Sequence, residues 1–183
     1  MSLAGLLLAA GAGSRMGLPK ALVHDGEESW LGRSVAVLRA GGCEEVSVVL
    51  GAAADEALGL LDGLGVDVVI ASDWAEGMAA SLRAGLGALP DHAEAAVVLL
   101  VDLPDVTAEV VRRVVAAGGG AGVLARAAYG GRPGHPVLLG RDHWAGVGAT
   151  AVGDHGARGY LAAYGVRLVE CGDLASGRDV DAR

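Results

Sequence analysis

At 183 residues the chain suits a single domain spanning 1–183, large enough to bury roughly 70% of its unfolded surface. A formal net charge of −8 with no basic stripe excludes a nucleic-acid binder, and no apolar run approaches the ~20 residues that cross a bilayer. With 52% hydrophobic residues, 31 glycines and no Phe, the core must come from Val, Leu and Ala joined by tight turns.

In chain order, apolar runs of strand length fall at 3–9, 46–50, 66–71, 96–101, 121–125, 134–139 and 166–170. They alternate little, as strands covered on both faces do. Helical spacing fits between several of them. Residues 30–41 align Leu31, Val35 and Leu38; residues 78–89 align Leu82, Leu86 and Leu89; residues 107–117 align Val110, Val111, Val114 and Val115. Thr107 is placed to cap the last of these and the glycines at 118–120 to stop it. This alternation predicts an α/β fold with a mainly parallel sheet, whose ligands lie beyond the carboxyl ends of the strands. Past residue 120 the pattern becomes irregular. "YGGRPGHPV" reads as a turn feeding a strand, and residues 121–165 are expected as a lobe over the sheet edge. Cys43 and Cys171 stand alone, as reduced thiols do, and the scattered histidines hold no zinc spacing. The amino terminus lacks the basic start and cleavage region of a secretory signal, so a cytoplasmic protein is expected.

The first run opens into "LLLAAGAGSRMGLPKALV", residues 6–23. Gly11, Gly13 and Gly17 alone are a weak signal. In a dinucleotide site a helix begins within the glycines, but here Pro19 disfavours helix at Leu18, so the loop is expected to stay extended through Lys20. The second strand ends "VSVVLGAAAD", with no acid at its tip for a ribose hydroxyl. A P-loop fails as well, because Ala21 follows Lys20 where a metal-binding hydroxyl is required. What remains is a backbone-rich loop with Arg15 and Lys20, suited to wrapping a triphosphate. Of the chain's 14 basic residues, Lys20 alone is a lysine. Either the composition favours Arg and the position is chance, or the site needs a compact ammonium on a flexible stem.

"LAAGAGSRMGLPK" resembles the signature of the MobA/MocA-like nucleotidyltransferases, and three later segments agree in order and spacing. "SDWAEGMAASLRAGL" (72–86) is similar to the family's base-and-ribose loop, and "VLLVDLPDVT" (98–107) to its metal-aspartate strand end. "GRPGHPVLLGRDHWAGV" and "GDHGARGYL" resemble the acceptor side of the molybdenum cofactor cytidylyltransferase branch. Near its carboxyl terminus the family usually reads DIDTPEDL, where this chain has "RDVDAR".

The resemblance implies a three-layer α/β sandwich, with a mainly parallel, Rossmann-like sheet of the nucleotide-diphospho-sugar transferase type. It implies transfer of CMP from CTP to a molybdopterin-type phosphorylated acceptor, with release of pyrophosphate and Mg²⁺ as cofactor. The nucleotide would be held by Leu8, Ala9, Ala10, Gly11, Gly13, Ser14, Arg15, Lys20, Gly77, Ser81 and Asp102, of which Arg15, Lys20 and Asp102 are catalytic. His135, Asp154 and Arg158 would face the acceptor, and Asp102 with Asp181 would hold the metal. Asp179 and Asp181 flank Val180, so in an extended segment both face one side, and either can be the second ligand. Asp105 reads as solvated or capping. Ala10 gives LAAG, where the guanylyl branch reads LAGG. Molybdoenzymes or their chaperones would be partners. The alternatives are a guanylyl- or sugar-phosphate nucleotidyltransferase, or a nucleotide-binding regulator or cofactor chaperone without turnover.

Overall fold

The computed structural model describes residues 1–181. Its sheet is centred on β1 (Leu3–Ala9), buried at all seven positions. A small hairpin follows, β2 (His24–Asp25) with β3 (Glu28–Ser29). On one side β1 pairs in parallel with β4 (Glu45–Leu50), which pairs in parallel with β5 (Asp67–Ile70). On the other side it pairs in parallel with β6 (Ala95–Leu100). Strand β8 (Arg132–Gly140) runs antiparallel to both β6 and β7 (Leu124–Tyr129), and β9 (Arg167–Glu170) completes the sheet parallel to β7. The order is β5-β4-β1-β6-β8-β7-β9, a mostly parallel α/β sheet as expected.

Both faces are covered, which explains the unbroken apolar runs. Leu3, Leu7 and Ala9 of β1 join a core with α1 (Trp30–Ala40), α2 (Ala54–Leu61) and α4 (Ala108–Val115), through Leu31, Val35, Leu38, Leu61, Val110 and Val114. Ala4, Leu6 and Leu8 join the opposite core with α3 (Met78–Gly87), α5 (Trp144–Thr150) and α6 (Arg158–Ala163), through Leu82, Leu86, Val147 and Leu161. Gly85 lets α3 sit hard on the sheet: a Cβ there would lie 2.7 Å from Leu6. Both cysteines are buried and free.

Three local expectations are corrected. The strand expected at 121–125 begins at Leu124 and continues to Tyr129, because it is the first arm of a hairpin. Gly130 and Gly131, at φ +59° and +77°, make the two-residue turn that only residues tolerating positive φ form easily. Residues 121–165 therefore supply two strands to the sheet itself, and α5 and α6 to one face, where a lobe over the edge was expected. Thr107 stands at the start of α4, but among the described residues its hydroxyl makes no capping bond.

Candidate active site

From β1 the chain goes to β4 and β5 on one side, then crosses to β6 on the other. The crevice beyond the carboxyl ends of β1 and β6 is thus where an open α/β sheet binds its ligand. Residues 10–20 enter it from β1. Their path is not the expected extended one: Gly13 and Gly17 take φ +60° and +82°, and the amides of Met16 and Gly17 both donate to the Gly13 carbonyl. Glycine at positive φ is what lets the loop fold back, and a Cβ on Gly13 would lie 2.0 Å from the Leu18 carbonyl oxygen. Pro19 is extended, at φ −58° and ψ 131°, and a single 3-10 turn begins at Lys20.

That turn sets Lys20 over the end of β6. Its Nζ donates to Asp102 Oδ2 at 2.6 Å and to Asp181 Oδ1 at 2.8 Å, and Arg15 Nη1 donates to Asp181 Oδ2 at 3.1 Å. The Lys20 and Asp102 side chains are only 17% and 15% exposed, whereas Arg15, paired with Asp181, is 79% exposed. Burial disfavours the Lys20 ammonium, but bonds to Asp102 and Asp181 outweigh it and raise its pKa above 10.5. Lys20 is a fixed positive charge at neutral pH. The hydrogen bond from Lys20, with its charge, lowers the pKa of Asp181, so this carboxylate stays ionised well into acid.

Asp102 Oδ1 is buried and has no hydrogen-bond partner among the described residues. Asp102, Asp179 and Asp181 each offer a carboxylate oxygen, all within 4.8 Å of one another. An unpaired buried carboxylate oxygen beside two more carboxylates suits a hard divalent cation, so these residues fit one. Both tail carboxylates, Asp179 and Asp181, reach the cluster.

Two cavities open from this point. One, of about 400 Å³, is lined by Leu8, Ala9, Ala10, Gly11, Gly13, Ser14, Arg15, Lys20, Gly77, Ser81, Asp102 and Asp181. The other, of about 330 Å³, is lined by His135, Asp154 and Arg158, above a floor that includes Leu82, Val98, Val137 and Leu139. Leu8, Met78, Leu100, Asp102 and Asp154 border both. Gly77 makes the shared wall possible. It sits at φ +112°, and a Cβ there would lie 2.7 Å from both Asp154 Oδ1 and the Gly153 carbonyl carbon. Every site residue expected from the sequence therefore lines one of two adjoining cavities.

Sequence reasoning missed Arg126 and Trp74. Trp74 walls the first cavity and packs where Gly51 has no side chain. Arg126 lines the second cavity and donates Nε to the Gly134 carbonyl at 3.0 Å. Burial, then the nearby charge of Arg158, lowers its pKa. An arginine inside the apolar run "LARAAY" was the available signal. Burial, then the charge of Arg126, drives the pKa of His135 down to about 3. His135 is neutral wherever the protein is folded at ordinary pH. His135→Gln is therefore expected to leave the shape of the kcat/KM profile unchanged between about pH 5 and pH 8. A limb lost from that profile would show that His135 titrates there.

A model of the MobA-like NTP transferase domain matches residues 5–168. The chain is 34% identical over 187 residues to the nicotine blue oxidoreductase of Paenarthrobacter nicotinovorans, covering 97% of this chain and 91% of that protein. A nucleotidyl transferase from Methanothermobacter thermautotroptrophicus superposes with a TM-score of 0.85 at 25% identity, covering 99% of this chain and 92% of that one. Rv0371C of Mycobacterium tuberculosis, in a manganese complex, superposes with a TM-score of 0.76 at 27% identity, over 93% of this chain and 88% of that one. With the family model spanning the strand order, the glycine loop and Asp102 alike, the chain belongs to the MobA-like NTP transferase domain family.

Proposed function

We propose that the chain transfers CMP from CTP to a molybdopterin-type phosphorylated acceptor, with Mg²⁺ as cofactor. The observation that carries this reading is that two cavities meet at Asp102, one bordered by the glycine loop and Lys20, the other by Arg158. A transfer between two bound phosphates needs that adjacency. Loop amides and Arg15 hold the triphosphate, and Lys20 moves from its carboxylates to the phosphate oxygens. An acceptor phosphate oxygen then attacks the α-phosphorus; the new P–O bond forms as the bond to the β-phosphate oxygen breaks, and pyrophosphate leaves with that electron pair. No covalent enzyme intermediate is required, because positioning and charge stabilisation supply the catalysis. Asp102, Asp179 and Asp181 would hold Mg²⁺, which favours oxygen ligands and neutralises charge developing on the phosphates. In the acceptor cavity Arg158 and Arg126 supply cations above an apolar floor, as a flat ring system bearing a phosphate requires. Pyrophosphate release from CTP that depends on the acceptor tests the reading.

Base choice is assigned to Ala10, buried in the wall of the first cavity. The wild type is expected to prefer CTP to GTP in kcat/KM, and Ala10→Gly to narrow the preference without reversing it. One methyl group is worth about 1–3 kcal/mol of discrimination. Comparing kcat/KM for both nucleotides at fixed acceptor and Mg²⁺ checks this. A wild type preferring GTP contradicts the cytidylyl assignment, and an unchanged ratio moves base choice to the loop at Gly77 and Ser81.

A second reading draws on the relative named an oxidoreductase, which is similar over 97% of this chain. The apolar floor of the second cavity would equally take a planar acceptor of electrons. It leaves the Lys20–Asp102–Asp181 cluster without work, and acceptor-dependent pyrophosphate release that is lost in Asp102→Asn would separate transfer from it.

A further inference from the structure

After β9 the chain runs as an irregular strap, residues 171–181, back to the site. Its first half is well secured. Cys171 donates its amide to the Ala128 carbonyl, Asp173 takes two bonds from Arg113, and Leu174 and Ala175 pack on the core. Its second half carries Asp179 and Asp181. Between the halves stands Ser176.

Both donors of Ser176 go to one oxygen: its amide reaches Asp105 Oδ2 at 2.7 Å and its hydroxyl reaches the same atom at 2.5 Å. The Ser176 hydroxyl in turn accepts the amide of Arg178 at 3.3 Å, one residue before Asp179. Gly177, between them, takes φ +62° as it crosses Tyr129, where a Cβ would fall 2.1 Å from the ring. Two residues after Arg178, the Val180 amide donates to the Asp102 carbonyl at 3.0 Å. A chain of bonds thus leads from Asp105 through Ser176 and Arg178 to the two tail carboxylates. The sequence led us to expect Asp105 solvated or capping a helix; instead its Oδ2 takes both donors of Ser176. Its Oδ1 is buried without a hydrogen-bond partner among the described residues, an unfavourable placement that the two bonds from Ser176 offset.

We infer that Asp105 is a positioning residue: by gripping Ser176 it sets the register in which the strap delivers Asp179 and Asp181 to Asp102. This rests on the reading of those three aspartates as a divalent-cation centre. Residues that orient metal ligands from outside commonly change affinity 10–100-fold when removed.

The test is Mn²⁺ binding to the full chain without nucleotide, followed by the resonance of free Mn²⁺, with circular dichroism and Tm on each variant. Asp105→Ala is expected to weaken Mn²⁺ about tenfold and Ser176→Ala about threefold, both folded. Asp105→Asn keeps an acceptor oxygen for both donors and is expected to stay within about threefold of wild type. That rescue is what a general loss of stability would not give. Wild-type affinity in both alanine variants overturns the proposal, and so does an Asp105→Asn variant as weak as Asp105→Ala. If Asp105→Ala does not fold, the Ser176→Ala value decides alone. Asp102→Asn is the control for the underlying reading: wild-type affinity there removes the cation centre itself, and the positioning role falls with it.

Discussion

Lys20→Met is expected to lower kcat/KM for CTP by about a hundredfold while the protein remains folded. The ammonium is held at 2.6 Å and 2.8 Å by two carboxylates and is positive at neutral pH, so a full charge is removed from the place where triphosphate charge must be met. A charge-assisted contact that tightens as pyrophosphate departs contributes roughly 3 kcal/mol, which is the hundredfold loss. The same geometry predicts an opposite change in a second observable. Without nucleotide, the Lys20 ammonium pairs with Asp102 Oδ2 and Asp181 Oδ1 and so competes with a divalent cation for the charge of these carboxylates. Removing it leaves those carboxylates to repel one another until a cation arrives. Mn²⁺ should therefore bind nucleotide-free Lys20→Met more tightly than wild type, even as turnover falls. Normal catalytic efficiency in a folded variant would remove Lys20 from the site.

Asp102→Asn carries the other large effect. We expect metal-dependent turnover to fall by about a thousandfold, on the order of 4 kcal/mol. Asp102 ends the β6 run, and the Val101 amide ties that end to the Leu8 carbonyl of β1. Its Oδ1 is buried without a hydrogen-bond partner among the described residues, and an amide placed there keeps the shape but loses the charge that holds a cation against competition from phosphate. Of the tail carboxylates, Asp181→Asn should lose more than Asp179→Asn, since Asp181 also pairs with Lys20 and Arg15. Wild-type rates for Asp102→Asn at ordinary Mg²⁺ would contradict the cation assignment.

What the sequence disclosed here follows from how local each signal is. The runs that became β1 and β6 are apolar throughout because both their faces are covered, and Asp102 is visible as the first charge after such a run. The glycine loop is contiguous, so its phosphate-binding character could be read, but its path could not. Proline at 19 argues for extension, and only the positive φ of Gly13 and Gly17 turns the loop back. Helix α2 escaped notice because Ala53 at its start offers no side-chain cap. Arg126 was lost inside an apolar strand, since its meaning depends on Arg158 arriving from α6. The bond between Asp105 and Ser176 joins residues 71 apart, and no local pattern announces such a pair.

The protein is incubated with CTP labelled at its α-phosphate, Mg²⁺ and a phosphorylated pterin acceptor, and both labelled product and pyrophosphate are counted, with Lys20→Met and Asp102→Asn in parallel. Label is expected to move to the acceptor with one pyrophosphate released per transfer, and both variants to fall to near background. Nucleotidyl transfer is contradicted if no nucleoside triphosphate passes its label to any phosphorylated acceptor supplied to the folded protein.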